Sequence, residues 1–183
     1  ARRLEVSDAH FPDMVRYMDK MVGKIVAGVE ELGLRDDTLI IFYSDNGTDK
    51  KFASTMNGVS VPGKKSYPVQ AGVRVPLIAS WPRGSPQNVV NSDLVDASDF
   101  VPTLIELAGH QAPAAWQLDG QSFAPQIRGH AHPSPREACF FWYDPRPGHD
   151  KAHLDRAVFA LDHRYKLYSD GRLFTVDDLL PIE

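Results

Sequence analysis

The sequence predicts an α/β fold that carries a small antiparallel sheet at its C-terminus. A long helix with one apolar stripe comes first, followed by a short link and a strand of continuous apolar residues. This order is half of a strand–helix–strand unit. A second apolar strand and a second helix follow, and the C-terminal part contains short strands with turn sequences typical of hairpins.

Composition bounds the class of protein. The chain has 183 residues, of which 43% are hydrophobic, enough for one ordinary globular domain with a core. A net charge of −4 gives no electrostatic case for nucleic acid or an anionic membrane surface as partner. The single cysteine, Cys139, excludes an internal disulfide and a cysteine-based zinc cluster. No apolar run approaches the roughly 18 residues needed to span a bilayer.

The first element is the clearest helix of the chain. Ser7 or Asp8 is its predicted N-cap, Pro12 is compatible with its first turn, and Gly33 is its predicted C-terminal cap. Its apolar residues recur at three- and four-residue spacing. They are Phe11, Met14, Val15, Met18, Met21, Val22, Ile25, Val26, Val29 and Leu32.

The next element is an apolar strand that ends in Asp45-Asn46-Gly47. A run of this kind predicts a strand buried on both faces, typical of a parallel sheet covered by helices. The carboxyl ends of such strands are where α/β proteins bind ligands, and the oxygen donors of Asp45 and Asn46 suit Ca²⁺ or Mg²⁺. The alternative is an ordinary turn, which these residue types alone favour.

Residues 49–73 form a polar connection that is too long for an idle loop and is therefore predicted to be functional or mobile. Within it, Gly63-Lys64-Lys65-Ser66 could hold an anion through backbone N–H groups and a lysine charge, although two loop lysines are more often solvated surface. A second buried strand follows at residues 75–82. Arg74 stands at its entrance, as a structural anchor first and an anion ligand second.

The remaining elements are a helix and several short strands. Ser98 or Asp99 is the predicted cap of a helix that ends near Gly109, and residues 110–137 are predicted to meander. Strands are predicted at residues 139–143, 157–161, 165–168 and 173–176. The sequence Ser169-Asp170-Gly171-Arg172 predicts a hairpin between the last two.

Taken in order, several segments resemble landmarks of the sulfatase family. Each is weak alone, and their order and spacing carry the resemblance. They are Tyr17-Met18-Asp19-Lys20-Met21-Val22-Gly23, Asp45-Asn46-Gly47, Lys65, Ala71-Gly72-Val73-Arg74-Val75-Pro76-Leu77-Ile78, Asp99-Phe100-Val101-Pro102-Thr103-Leu104, Leu118-Asp119-Gly120-Gln121-Ser122 and Tyr165-Lys166-Leu167-Tyr168-Ser169-Asp170-Gly171-Arg172.

The resemblance implies the alkaline-phosphatase-like α/β fold, with a large mixed sheet and a small antiparallel C-terminal subdomain. On this basis residues 1–134 are expected to belong to the catalytic α/β domain and residues 135–183 to the C-terminal subdomain. The matched landmarks correspond to the C-terminal portion of the family. Members are often periplasmic, secreted or lysosomal, and the sequence leaves the compartment open.

The resemblance also implies a chemistry, the hydrolysis of sulfate monoesters, with a sulfated small molecule or glycan as substrate. Asp45 and Asn46 take the place of the family's ligands to one divalent cation, usually Ca²⁺, with Mg²⁺ as the alternative. Lys65, nine residues before Arg74, takes the place of the active-site lysine that binds sulfate and assists the leaving group. Lys65 is therefore the expected catalytic and substrate-binding residue.

The family's formylglycine nucleophile has no counterpart here. It is made from the first residue of a Cys/Ser-x-Pro-x-Arg motif, and neither Cys139 nor Ser134 begins one. We therefore expect a fragment or one half of a split enzyme, whose partner is an N-terminal sulfatase segment. Alone, the chain is expected to be inactive, to bind Ca²⁺ weakly and to be poorly stable. The alternatives are a non-catalytic assembly module, or a phosphodiesterase or phosphonate hydrolase of the same superfamily.

Overall fold

The computed structural model describes residues 10–130, 136–144 and 156–176. Two compact units divide the chain between Arg83 and Gly84. The predicted boundary between residues 134 and 135 rests on the family resemblance and stays a prediction. The helices are α1 (Phe11–Glu31), α2 (Gln70–Val73), α3 (Phe100–Leu107) and α4 (Ala124–Ile127), and the strands are β1 (Ile40–Tyr43), β2 (Ala53–Met56), β3 (Val59–Pro62), β4 (Leu77–Ser80), β5 (Cys139–Tyr143), β6 (Ala157–Leu161), β7 (Tyr165–Tyr168) and β8 (Leu173–Thr175).

Helix α1 of the first unit confirms the predicted long helix. It starts with Pro12 in its first turn after His10, whose side chain makes no capping bond. The predicted caps Ser7 and Asp8 lie outside the described residues. At its end Gly33 adopts a left-handed backbone with φ +69°, and its N–H donates to Glu30 O at 2.9 Å, as a C-terminal cap requires. None of the residues of α1 is buried.

Strands β1 and β4 form a two-stranded antiparallel sheet, with Ile40 opposite Ser80 and Tyr43 opposite Leu77. The prediction of a strand buried on both faces of a parallel sheet is therefore wrong for β1 as described, since its neighbour is antiparallel and Tyr43 is 43% exposed. An apolar run indicates which side chains are suited to burial. It carries no information on the direction of the strand beside it.

The polar connection contains a hairpin that the sequence interpretation missed. Strands β2 and β3 pair antiparallel around Asn57 and Gly58, both with left-handed backbones at φ 51° and 81°. Two consecutive residues of this conformation are what a type I′ turn needs, and Asn-Gly is the usual sequence for it. The Asn-Gly signal was present, but each flanking strand has only four residues and is largely exposed, so neither forms the apolar run that is typical of a buried strand.

The second unit contains a four-stranded antiparallel sheet in the order β5-β6-β7-β8. The predicted bounds of β5, β6 and β7 are confirmed, β8 is one residue shorter than predicted, and the turn at Gly171 (φ 89°) is confirmed. On its buried face Phe159 stacks on Phe141 and contacts Tyr168, with ring centroids 4.6 and 5.3 Å apart. The ammonium of the buried Lys166 lies 4.2 Å from the centre of the Phe159 ring. This aromatic layer is the core of the sheet.

Asp99 is the polar centre of the second unit. Its carboxylate, 2% exposed, accepts hydrogen bonds from Asp96 N at 2.8 Å, from Gln121 N at 2.7 Å and from Arg136 Nε at 2.7 Å. A second Arg136 nitrogen makes the pair bidentate, and this hydrogen bonding raises the pKa of the Arg136 guanidinium. The prediction that Asp99 is the N-cap of this helix is confirmed in position, since Asp99 directly precedes α3, although its side chain makes no capping bond there. The side chain of Asp96 caps the 3₁₀ turn Ala97–Asp99 that leads into α3.

Within the described residues no helix combines the length and the apolar character that crossing a membrane requires.

Candidate functional site

The predicted metal ligands follow directly after β1. Asp45 is exposed and Asn46 is half-buried. The Ser44 hydroxyl donates to the Asn46 carbonyl at 3.0 Å, which tightens the bend. The N–H of Gly47 donates to the Gly72 carbonyl at 2.9 Å and so ties the bend to α2. The two oxygen-bearing side chains therefore lie on a segment whose backbone is fixed at both ends.

The predicted lysine belongs to a turn that is hydrogen-bonded to the same segment. The N–H of Lys65 donates to the Thr48 carbonyl at 2.9 Å. Lys65 is exposed, whereas Lys64 is half-buried and its ammonium lies 5.5 Å from the centre of the Tyr67 ring. The structure thus brings the backbone that carries Lys65 next to the backbone that carries Asp45 and Asn46, about twenty residues earlier.

Three glycines allow this close approach. A Cβ on Gly47 would lie 1.9 Å from the Ala71 carbonyl oxygen, one on Gly63 would lie 2.1 Å from the Asp49 oxygen, and one on Gly72 would lie 2.2 Å from the Tyr67 oxygen. Each of these contacts is with backbone, which cannot rotate away. Only glycine fits at the three positions, so the segments pack together without side chains between them.

Arg74 does not enter a core as predicted, whereas its role as a structural anchor stays a prediction. Arg74 is exposed, and its N–H donates to the Gln70 carbonyl at 2.7 Å where α2 ends. A guanidinium that enters a core was expected because the strand after it is apolar. Strand β4 is largely exposed in this structure, so Arg74 lies at the surface where it leads into this strand.

The donors present at the site suit a hard cation in part. Asp45 and Asn46 offer carboxylate and amide oxygens, the ligand types that Ca²⁺ and Mg²⁺ prefer. Across the residues that the structure describes, no cluster of three His, Cys, Asp or Glu side chains could hold a metal ion. Two side chains are fewer than the six or so ligands that these ions take, so Asp45 and Asn46 fit as a portion of a ligand set.

Cys139 has the environment of a structural thiol. It lies buried in β5, and this burial raises its pKa to about 11. A thiol with such a pKa is protonated at neutral pH and is a poor nucleophile. This agrees with the absence of a Cys-x-Pro-x-Arg motif around it.

Comparison with known proteins assigns the family. The profile of the family named Sulfatase matches residues 7–110, and the profile described as N-sulphoglucosamine sulphohydrolase, C-terminal, matches residues 64–178. The chain therefore belongs to the sulfatase family, as its order of motifs predicted.

Individual relatives agree with this assignment. The mouse (Mus musculus) steryl-sulfatase is 34% identical over 139 residues, which are 72% of this chain and 22% of that protein. The solved structure of BT4656 in complex with its substrate D-glucosamine-2-N,6-O-disulfate superposes with a TM-score of 0.68 at 22% identity, over 89% of this chain and 32% of the other. The phosphonate monoester hydrolase SpPMH from Silicibacter pomeroyi gives a TM-score of 0.60 at 25% identity, over 87% and 32%.

These similarities confirm the alkaline-phosphatase-like fold, with the small antiparallel sheet at its C-terminal side. They also show that the chain spans between about a fifth and a third of the length of the proteins it matches.

Proposed function

We propose that this chain contributes part of the active site of a sulfuric ester hydrolase that acts on sulfate monoesters with a divalent cation. The observation that carries the proposal is the hydrogen bond between Lys65 N and Thr48 O. It joins the lysine turn to the Asp45-Asn46 segment, two features that stand at family spacing in a chain of the sulfatase family.

In this proposal Asp45 and Asn46 are ligands of Ca²⁺, or of Mg²⁺. When bound, the cation polarises the S–O bonds and stabilises the charge that develops on the sulfate oxygens. The chain's own contribution is to hold the two donors still, which the bonds Gly47 N to Gly72 O and Ser44 Oγ to Asn46 O support. The other ligands of the cation belong, in this proposal, to sequence outside these 183 residues.

Lys65 is proposed to bind the sulfate group and to assist departure of the alcohol. Within the described residues its ammonium has no ion-pair partner and its side chain is exposed, so its charge is available to an anion. A positive charge beside the bridging oxygen favours bond cleavage, because negative charge accumulates there as the ester breaks. Lys64 is a weaker candidate, since its ammonium already lies over the Tyr67 ring.

The nucleophile is proposed to be a formylglycine in an N-terminal sulfatase segment that pairs with this chain. Two facts support a partner of that kind: the chain covers 22% of steryl-sulfatase, and no residue of α1 is buried, with Ile25 of its apolar stripe 62% exposed. We call this chain together with such a segment the assembled enzyme. Its substrate is a sulfate ester, either a small molecule or a sulfated glycan.

The test is hydrolysis of 4-nitrophenyl sulfate by the assembled enzyme. Lys65→Ala is expected to lower kcat by about 100-fold or more, the effect of removing one charge-stabilising group from a site of this kind. The matched control is Lys51→Ala, another exposed lysine of the same connection, which should leave kcat unchanged. Wild-type turnover by the Lys65→Ala enzyme would remove Lys65 from the mechanism.

The metal assignment has a separate test in this chain alone. We expect weak Ca²⁺ binding in calorimetric titration, because two side chains leave most of the coordination sphere to other ligands. Asp45→Asn should weaken it further, and Asp49→Asn, a nearby exposed acid, should not. Tight Ca²⁺ binding by the isolated chain, or a Ca²⁺ affinity that is unchanged by Asp45→Asn, contradicts the assignment.

Hydrolysis of phosphonate monoesters or phosphodiesters is the second candidate, favoured by the similarity to the phosphonate monoester hydrolase. The ratio of kcat/KM for 4-nitrophenyl sulfate to that for 4-nitrophenyl phenylphosphonate separates the two. A ratio above one supports the sulfatase, and a ratio below one supports the second candidate. Turnover of neither substrate by the assembled enzyme favours a non-catalytic assembly module.

A further inference from the structure

Ser66, next to the proposed catalytic lysine, has an unfavourable backbone conformation. Its φ is 73°, in the left-handed region that glycine adopts freely and that costs other residues free energy. Two further described residues without glycine's freedom share this region, Asn57 and Asn88. Both are asparagines, which tolerate it better than serine does.

The strained residue occupies a defined position in a turn. The N–H of Tyr67 donates to the Lys64 carbonyl at 3.0 Å, which closes a four-residue turn with Lys65 second and Ser66 third. A left-handed third residue is the mark of a type II turn, where glycine or asparagine is usual. If residue 66 leaves that region, the turn must change type, and the peptide group between Lys65 and Ser66 rotates.

The surroundings keep the turn in its strained form. On one side, Lys65 N is bonded to Thr48 O at 2.9 Å. On the other, Gly72 lies so close that a Cβ there would be 2.6 Å from the Lys64 carbonyl oxygen and 2.2 Å from that of Tyr67. The two carbonyl groups at the ends of the turn are therefore fixed by packing against α2, and its second residue is fixed to the Asp45-Asn46 segment.

From this geometry we infer that Ser66 is a positioning residue: its left-handed backbone aims Lys65 at the place where the Asp45-Asn46 segment holds its ligand. The inference rests on the proposed function of Lys65. This positioning role requires the left-handed backbone of residue 66 and does not require the serine hydroxyl group. Strain at a functional position is stable only where the surrounding structure compensates for it, as the contacts of Thr48 and Gly72 do here.

Two substitutions separate the backbone from the hydroxyl. Ser66→Thr keeps the hydroxyl but adds a branch at Cβ, which makes a left-handed backbone much less favourable. Ser66→Gly removes the hydroxyl and adopts the left-handed backbone without cost. We expect Ser66→Thr to lower kcat of the assembled enzyme for 4-nitrophenyl sulfate by about tenfold with little change in KM, because a left-handed backbone is disfavoured by about this factor for a branched residue. We expect the kcat of the Ser66→Gly enzyme to stay within about threefold of wild type.

Amide hydrogen exchange of Lys65 in the 183-residue chain gives a readout independent of catalysis. The amide is protected by its bond to Thr48 O. Ser66→Thr should speed its exchange by about tenfold, and Ser66→Gly should leave it protected. Asn88→Thr is the matched control, because it puts the same branched residue at φ 56° in the second unit. It should change neither kcat nor the Lys65 amide.

The outcomes are distinct. A loss with Ser66→Gly and none with Ser66→Thr overturns the inference in favour of a hydroxyl role. An equal loss of kcat with Asn88→Thr overturns it in favour of a general effect on stability. If the wild-type assembled enzyme hydrolyses no sulfate ester, the proposed function fails, and hydrogen exchange of the Lys65 amide then tests the inference by itself. Faster exchange with Ser66→Thr but not with Ser66→Gly or Asn88→Thr supports the placement of Lys65 by Ser66, and unchanged exchange with Ser66→Thr overturns it.

Discussion

The two compact units of this chain are stabilised by different means. The second unit has buried apolar side chains from its helices and its sheet, among them Phe123, Ile127, Phe159 and Tyr168. In the described part of the first unit no apolar side chain is buried, and the buried positions are Gln70 and the glycines Gly63 and Gly72. Apolar burial is the largest favourable term in folding. The second unit therefore has an apolar core of its own, whereas the described part of the first unit, which carries the candidate site, is held together by backbone contacts without such a core.

Truncating one apolar side chain in each unit should give the largest contrast. Phe159 is 1% exposed at the centre of the aromatic layer, so Phe159→Ala should lower the free energy of unfolding of the second unit by about 3–5 kcal/mol. Ile25, in the stripe of α1, is 62% exposed, and Ile25→Ala should change the stability of this chain by about 0.5 kcal/mol or less. Urea denaturation followed by near-ultraviolet circular dichroism measures both. A comparable loss from Ile25→Ala would show that α1 buries this side chain after all.

The buried ion pair should give the next largest effect. Asp99→Ala leaves the Arg136 guanidinium, 11% exposed, without its carboxylate, which for a buried pair costs about 3 kcal/mol. Asp13→Ala is the control in the first unit. It removes the partner of Arg16 in an exposed pair, where about 0.5 kcal/mol or less is expected. A loss below about 1 kcal/mol with Asp99→Ala would mean that the pair is not the polar centre of the second unit.

Cys139 provides a pH-dependent test of the second unit. Burial raises its pKa from 9.0 to about 11, so the folded state holds the thiol proton more tightly than the unfolded chain does. The stability linked to this proton is complete below pH 9 and is lost as pH rises to about 11, by up to about 2 kcal/mol. The measurement compares urea denaturation of the wild type and of Cys139→Ala at pH 8 and pH 11. The wild type should lose more stability than the variant, and an equal loss contradicts the raised pKa.

The elements that could be predicted from the sequence are those with local signals, and the contacts between distant residues could not be predicted. Strands β5 to β8 were predicted within one residue, because alternating side chains and the turn at Asp170-Gly171 are local signals. The pairing of β1 with β4 was not predicted, since it joins residues about forty positions apart. The pair of Asp99 and Arg136 was also missed, because nothing local links residues 37 positions apart.

At the candidate site, sequence and structure contributed different parts. Asp45, Asn46 and Lys65 were selected by their place in a family pattern, and their roles stay predictions. The approach of the two segments depends on glycine carbons that touch carbonyl groups, as Gly47 does at Ala71. Such a contact between backbone groups produces no pattern of apolar residues from which it could be predicted. The left-handed backbone of Ser66 could not be predicted from the sequence either, since serine is common in turns of every type.

The smallest expected effect compares two glycines in matched turns. Gly58 joins β2 to β3 in the first unit and Gly171 lies between β7 and β8 in the second, with φ values of 81° and 89° and no atom within 4 Å of an added Cβ. Alanine at either position therefore costs only the strain of a left-handed backbone, about 1 kcal/mol.

That cost should appear in different measurements. Gly171→Ala should lower the urea midpoint of the second unit, because its turn belongs to the sheet that holds the core. Gly58→Ala should leave that midpoint unchanged and instead speed amide exchange in β2 and β3, a hairpin without buried side chains. Equal shifts of the urea midpoint by the two variants would mean that the two units unfold in one cooperative transition. That result would contradict the conclusion that the two units differ in stability.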